Sequence, residues 1–324
     1  MSAQPESAPL EGIMQELVVI SGKGGTGKTS LTACFAVLAG NAVVADCDVD
    51  AADLHLLLAP SVTMRHEFFS GREAIIREEA CNGCGVCSSV CRFDAVRVGG
   101  GAAGAPGFTI APLSCEGCGV CVRFCPERAI EFPVRLCGEW MVSETRCGPM
   151  VHARLGAAAE NSGKLVSTVR RESRRIAEES HRPLVIADGP PGIGCPVIAS
   201  VTGSTLVLVV TEPTVSGEHD LQRVLSLTRH FQIPTAVCVN KWDLNAEMAG
   251  RIEESARRAG ARIAGRVRYD RGVTLAQMRE LTVVETGAPS AVDIRMVWKN
   301  LGMQEGSSPA LTPARNRQIM ASYD

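Results

Sequence analysis

Short, continuous apolar runs recur along the chain, with stretches of helix length between them. Leu17-Val18-Val19-Ile20, Asn41-Ala42-Val43-Val44-Ala45, Leu184-Val185-Ile186-Ala187, Thr205-Leu206-Val207-Leu208-Val209-Val210 and Thr235-Ala236-Val237-Cys238-Val239 show no polar alternation and are too short for buried helices. They read as strands buried on both faces, as in a parallel sheet. Leu31–Ala39, Leu165–Ser180, Gly217–Phe231 and Ala246–Ala259 read as helices, Arg262–Arg268 as a short strand, and Thr274–Glu280 and Ala291–Leu301 as closing helices. Strands alternating with helices predict an α/β fold, a doubly wound, mainly parallel sheet.

The first strand runs into Ser21-Gly22-Lys23-Gly24-Gly25-Thr26-Gly27-Lys28-Thr29-Ser30, and a helix follows. Gly22, four residues, then Gly27-Lys28-Thr29 is the phosphate-binding loop pattern in the strand–loop–helix context it requires. Glycines let backbone N–H groups close around phosphate oxygens, and the helix start adds its positive dipole end. Residues 22–30 are therefore candidate nucleotide-binding residues. Lys28 is expected to reach the β- and γ-phosphates, and the Thr29 hydroxyl to ligate magnesium. Two later strands end in carboxylates, at Asp46-Cys47-Asp48-Val49-Asp50 and at Asp188-Gly189-Pro190-Pro191-Gly192. Open α/β sheets bind ligands at such carboxyl ends. Asp188 can hold the magnesium shell. An aspartate before Ala51-Ala52-Asp53-Leu54 also suits a helix cap.

The second lysine, in Lys23-Gly24-Gly25-Thr26-Gly27-Lys28-Thr29, makes the loop resemble the deviant phosphate loop of the MinD/ParA family of ATPases. That resemblance implies a nucleotide sandwich homodimer in which Lys23 reaches the partner's phosphates. It also implies that Asp48 orients the attacking water, supported by Asp46 and Asp50, and that Gly189–Gly192 is a switch sensing the γ-phosphate. The catalytic candidates are thus Lys23, Lys28, Asp48 and Asp188. Asn240-Lys241-Trp242-Asp243 follows another buried strand. In the family an asparagine here contacts the base, yet Asn-Lys-x-Asp is also the guanine-reading motif of GTPases. The residues leave ATP and GTP open; the resemblance favours ATP.

Between the Asp48 strand and the rest of the predicted sheet the composition changes. Cys81, Cys84, Cys87 and Cys91 are spaced C-x2-C-x2-C-x3-C, and Cys115, Cys118, Cys121 and Cys125 repeat that spacing, followed by Pro126. Gly83, Gly85, Val86 and Ala95 recur as Gly117, Gly119, Val120 and Ala129, an internal repeat at an offset of 34. The spacing resembles the bacterial two-cluster ferredoxin run, in which the fourth cysteine of each run ligates the other cluster. This implies one 4Fe–4S cluster on Cys81, Cys84, Cys87 and Cys125, and a second on Cys115, Cys118, Cys121 and Cys91. Arg92 stands where the first run's proline is expected. Zinc is the competing reading, since C-x2-C pairs also build zinc ribbons, but no histidine lies between the runs. Gly99–Gly104 reads as a flexible hairpin tip.

The resemblance extends over nearly the whole chain, to MinD-superfamily ATPases with an inserted α+β ferredoxin domain. Its implied layout is a tail over 1–16, ATPase domain over 17–72, ferredoxin insertion over 73–133, ATPase domain again over 134–303, and a tail over 304–324. Residues 143–155 and 160–165 are similar to stretches characteristic of that group and are candidates for the joint between domains. His152 reads as a loop histidine, Cys195 as a small buried residue, and Arg170, Arg171, Arg174 and Arg175 as a solvated helix face.

Composition narrows the picture little further. The chain has 324 residues, 14 cysteines and a formal net charge of −2, so nothing global suggests nucleic acid or an anionic membrane. No apolar run reaches the length of a membrane span, and Arg315–Tyr323 is a poor amphipathic helix. Abundant cysteine without a secretion signal points to a reducing cytoplasm. The expectation is a cytoplasmic, homodimeric ATPase with Mg2+, ATP and two 4Fe–4S clusters, serving an unidentified protein acceptor. Three purposes stand open: ATP-gated electron transfer, delivery of clusters or metal, and a positioning or cell-division ATPase whose clusters sense redox state.

Overall fold

The structure is a computed structural model that describes residues 14–99, 107–156 and 162–303. Most of the Gly99–Gly104 stretch, most of both expected tails and the start of the 160–165 stretch lie outside the described residues.

In chain order, β1 (Gln15–Ser21), α1 (Lys28–Ala39), β2 (Ala42–Asp46), α2 (Leu54–Leu58) and β3 (Ser61–Arg72) come first. The cysteine-rich segment then holds β4 (Ile75–Ile76), α3 (Val86–Val90), β5 (Val96–Val98), β6 (Phe108–Ile110), α4 (Val120–Phe124) and β7 (Ile130–Glu131). After it come β8 (Val134–Thr145), β9 (Gly148–Leu155), α5 (Ser162–Glu179), β10 (Leu184–Pro191), α6 (Cys195–Val201), β11 (Leu206–Thr211) and α7 (Val215–His230). The chain closes with β12 (Thr235–Asn240), α8 (Ala246–Arg258), β13 (Arg262–Val267), α9 (Arg271–Gln277) and α10 (Pro289–Asn300).

A nine-stranded sheet runs in the order β13-β12-β11-β1-β10-β2-β9-β8-β3. From β13 to β9 every pairing is parallel; β8 and β3 join antiparallel at the edge. The apolar runs of β1, β2 and β10 have no polar alternation because helices cover both faces. Along β1, Val18 and Ile20 pack with Leu165, Val169, Leu221 and Ile252 of α5, α7 and α8. Leu17 and Val19 face the other way, against Phe35 of α1 and Ile294 and Trp298 of α10. Such two-sided burial is the main stabilising term of a layered α/β domain.

The edge strands carry no such signal. Most of β3 is exposed, so no continuous buried run announces it. Residues 143–155, read as a joint of unknown form, are the end of β8, a tight turn and β9. His152 is therefore a strand residue, not a loop residue. It is buried, and its Nε2 lies 2.8 Å from the Ser143 hydroxyl.

Two further differences share one cause. Gln15 and Glu16 belong to β1, so the amino-terminal tail is shorter than expected. Glu16 is buried and makes two charge-assisted hydrogen bonds, at 2.8 and 2.6 Å, with the buried guanidinium of Arg170. Arg174 also donates to Glu16, while Arg171 and Arg175 keep to the surface with Glu172. Half of the expected solvated face is thus an internal ion-pair network.

The cysteine-rich segment has internal symmetry at the sequence offset of 34. Turns at Glu78–Ala80 and Pro112–Ser114 correspond, as do α3 and α4. β4 pairs with β7, and β5 with β6, so the first strand of each repeat pairs with the last of the other. Gly83 and Gly117, and Gly85 and Gly119, all adopt positive φ, a conformation that favours glycine.

Candidate functional site

Three adjacent strands, β1, β10 and β2, end side by side, which brings the phosphate loop, Asp188 and the Asp46–Asp50 segment together. Lys28 opens α1. Its buried Nζ lies 2.8 Å from Asp188 Oδ1 and 3.4 Å from Asp48 Oδ2. Burial alone would lower the Lys28 pKa, but the Asp188 carboxylate, helped by Asp48 and Asp46, carries it above its ordinary value. Asp188 also accepts from Thr29 Oγ1 at 2.7 Å and Thr32 Oγ1 at 2.9 Å. Thr32 was not singled out in the sequence, although it lies one helical turn after Lys28 and so on the same face.

Asp46 and Asp48 do different work. Asp46 is fully buried and accepts from the backbone N–H groups of Asp48 at 3.2 Å and Leu54 at 3.3 Å. It braces the loop that carries Asp48. Burial pushes both carboxyls above their ordinary range, and Lys28 opposes the shift. Asp50 is exposed. Asp53, which precedes α2, makes no side-chain capping bond; the Asp46 carboxylate accepts the first N–H of the helix instead.

The loop itself is held from several sides. Ser21 Oγ donates to Lys23 O at 2.8 Å, and Asn240 Nδ2 donates to Thr26 O at 2.8 Å. Gly25 and Gly27 have φ of 81° and 86°. A Cβ on Gly27 would lie 2.3 Å from Asn240 Nδ2, so only glycine fits there. Gly24 is exposed, whereas Ser30 Oγ accepts from Gln277 Nε2 at 2.7 Å. The Thr26 hydroxyl is buried without a hydrogen-bond partner.

Beside the loop is a cavity of about 260 Å³, whose lining includes Gly27, Ser30, Asn240, Lys241, Tyr269 and Gln277. Asp243 is not among its lining residues; its carboxylate accepts from the Tyr269 N–H at 2.6 Å. Lys241 donates to Gly25 O at 3.2 Å and pairs with Glu212. Lys23 is part-exposed, 3.0 Å from Ser216 Oγ and 3.7 Å from Glu212 Oε2. Glu212 therefore holds two lysines of the site, a role the sequence did not reveal.

The eight clustered cysteines gather around two small cavities. Cys81, Cys84, Cys87 and Cys125 line one, with Phe108, Pro126 and Ile130. Cys91, Cys115, Cys118 and Cys121 line the other, with Phe93, Val96 and Ile110. In each set the fourth cysteine comes from the other run. Among the described residues, no three or more His, Cys, Asp or Glu side chains converge closely enough to hold a single metal ion. Of the remaining cysteines, Cys147 is buried beside Met150 and Leu57, and Cys195 is exposed at the start of α6 rather than buried as expected.

A phosphate loop after β1, with Asp188 in the adjacent β10 and Asp46 at the end of β2, defines a P-loop nucleotide-binding protein. The sequence profile of the CobQ/CobB/MinD/ParA nucleotide binding domain (CbiA) matches residues 17–283, and the chain belongs to that family of MinD- and ParA-like P-loop ATPases. It is 33% identical over 237 residues to the uncharacterized protein MJ0578 of Methanocaldococcus jannaschii, covering 72% of this chain and 80% of that protein. Among solved structures, Cyanothece McdA in complex with ATP is similar at a TM-score of 0.54 and 16% identity, covering 91% of this chain and 98% of that one. The septum site-determining protein MinD of Pyrococcus horikoshii OT3, complexed with Mg-ADP, has a TM-score of 0.52 and 14% identity, covering 89% and 95%. At these identities the likeness to the solved structures is one of fold. No helix among the described residues is long and apolar enough to cross a membrane.

Proposed function

We propose that this chain is a homodimeric, ATP-hydrolysing iron–sulfur protein that couples nucleotide state to two 4Fe–4S clusters carried by residues 73–133. The observation that carries this reading is the composition of the two cysteine cavities. A cubane takes one thiolate at each of four corners around a larger body, which suits four cysteines spread around a cavity. Cys81, Cys84, Cys87 and Cys125 would hold one cluster, and Cys115, Cys118, Cys121 and Cys91 the other. When bound, the clusters would supply one-electron chemistry.

In the nucleotide site, the loop N–H groups and Lys28 bind phosphate, and Thr29 and Asp188 hold Mg2+. Lys28 is already charged and buried, so a phosphate replaces its carboxylate partners without new ordering of the side chain. Asp48 orients the attacking water, and Asp46 fixes the loop that presents it. Lys23 acts across the dimer, which requires it to leave Ser216 and Glu212. ATP is favoured over GTP because Asp243, the residue that would read guanine, does not line the cavity beside the loop. Asn240 is then a loop brace that also lines the base cavity.

A second reading has a specific motive in the fold relatives, one of which is a septum site-determining protein. In it the chain is a positioning ATPase whose clusters report redox state. ATP-dependent localisation with unchanged electron transfer would favour it over the first. The test of the common claim is metal analysis after anaerobic purification. About eight iron and eight acid-labile sulfide per chain are expected; stoichiometric zinc without sulfide would overturn the reading.

A further inference from the structure

Asp188 is the carboxylate assigned above to the magnesium shell, and the sheet fixes its main chain. It pairs with Val19 of β1 and Asp46 of β2, and its carbonyl accepts from the Cys47 N–H at 2.8 Å. What the sheet leaves free is the side chain. That carboxylate is buried, so it needs partners. Three side chains of α1 supply them: Lys28 at 2.8 Å, Thr29 at 2.7 Å and Thr32 at 2.9 Å. Lys28 and Thr32 share Oδ1, while Thr29 takes Oδ2.

The three partners differ in what a nucleotide would ask of them. Lys28 and Thr29 belong to the phosphate loop, and in the proposed site they turn to phosphate and Mg2+. Thr32 lies one helical turn after Lys28, is fully buried and does not line the cavity beside the loop. Its hydroxyl carries one proton and has two acceptors in reach, Lys28 O at 3.0 Å and Asp188 Oδ1 at 2.9 Å. The helical ladder already brings the Thr32 N–H to Lys28 O. A charged acceptor also makes the stronger hydrogen bond. The proton therefore goes to Asp188.

We infer that Thr32 is a positioning residue, which holds the Asp188 carboxylate in place for Mg2+ after Lys28 and Thr29 have turned to the nucleotide. The inference rests on the nucleotide-site reading above and is independent of the cysteine sets. Without the Thr32 hydroxyl, Oδ1 would keep from α1 only a lysine already engaged by phosphate. The carboxylate would then follow Lys28 instead of staying beside Thr29. Hydrogen bonds behind a metal-binding carboxylate set its orientation and so the affinity for the ion.

The test is calorimetric binding of ADP and of a non-hydrolysable ATP analogue, over a range of Mg2+ concentrations and with Mg2+ chelated. Wild-type protein is compared with Thr32→Val, Thr32→Ser and Thr32→Ala. Thr32→Val keeps the shape and lacks the hydroxyl. It is expected to need about tenfold more Mg2+, or beyond, to reach half of the Mg2+-dependent gain in affinity, the loss expected for one hydrogen bond to a charged group. Its affinity in chelator should match wild type, because the loop N–H groups and Lys28 are untouched. Thr32→Ser keeps the hydroxyl and is expected to behave as wild type. The serine and alanine variants differ only in that hydroxyl, so this pair decides the matter if the valine variant folds poorly. A wild-type Mg2+ dependence in folded Thr32→Val, or equal impairment of the serine and alanine variants, would overturn the role of Thr32 and leave the nucleotide site intact. Wild-type protein that binds neither nucleotide would overturn the nucleotide-site reading itself.

Discussion

The nucleotide end of the molecule and its cysteine segment are built on opposite terms. At the nucleotide end, β1, β2 and β10 are almost wholly buried, and helices clamp both faces of their sheet. Lys28, Asp46 and Asp188 sit on that foundation with their hydrogen bonds already made. Among its described residues the cysteine segment buries only Ala74, Cys87, Ala95, Phe108, Ala129 and Ile130, and its strands are two or three residues long. A core so small gives little hydrophobic stabilisation. The difference teaches that the nucleotide site rests on a core of its own, whereas the cysteine segment, on the proposed reading, would rely on what its thiols bind.

The comparison breaks most readily at Lys28. Lys28→Ala is expected to abolish nucleotide binding by calorimetry, because phosphate charge loses its buried counter-charge and three aspartates lose theirs; the sheet should persist by circular dichroism. Next in size is metal removal. Chelation under anaerobic conditions is expected to open residues 73–133 to hydrogen exchange and proteolysis while the strands around Lys28 stay protected. Equal loosening of both regions would erase the distinction. Glu16→Ala should cost about 3–5 kcal/mol in denaturant unfolding of the nucleotide domain, since it leaves Arg170 buried and unpaired. Asp243→Ala is expected to leave the preference for ATP over GTP unchanged, because Asp243 does not line the cavity beside the loop; a switch in preference would restore the guanine-reading role.

A further effect concerns pH. Burial, with the His55 and Arg65 charges, pushes the His152 imidazole down to about 4 from an ordinary value of 6.5. The unfolded chain therefore takes up this proton first. The contribution of neutral His152 is fully present above about pH 6.5 and is lost as pH falls toward 4. His152→Gln should flatten that part of the stability profile, measured by thermal unfolding between pH 4 and 7.

How much of this was legible depended on whether function or packing left a local pattern. Buried parallel strands leave apolar runs, and phosphate binding demands glycines at fixed spacing, so β1, Lys28 and the carboxylates at the strand ends could be read directly, while the role given to Asp48 came from resemblance. Eight cysteines at a repeated spacing announced two sets, and the crossed fourth ligands followed from resemblance. β3 was hidden because an edge strand exposed over most of its length leaves no buried run, and β8, between β3 and β9, is only partly buried. Glu16 and Arg170 were hidden because their partnership spans 154 residues, and each alone looks like a surface charge. Cys195 was misjudged because burial depends on what a neighbouring element covers. Nothing local in the sequence records that.

The central claim is that nucleotide state and the cysteine sets are coupled. Its most direct test is a redox titration of the anaerobic protein without nucleotide, with ADP and with a non-hydrolysable ATP analogue, together with nucleotide affinities for the oxidised and reduced forms. By linkage, a nucleotide that moves a cluster potential must bind the two redox states unequally. The account predicts that the analogue shifts at least one potential and that affinity changes reciprocally with redox state. Identical potentials and identical affinities would contradict it.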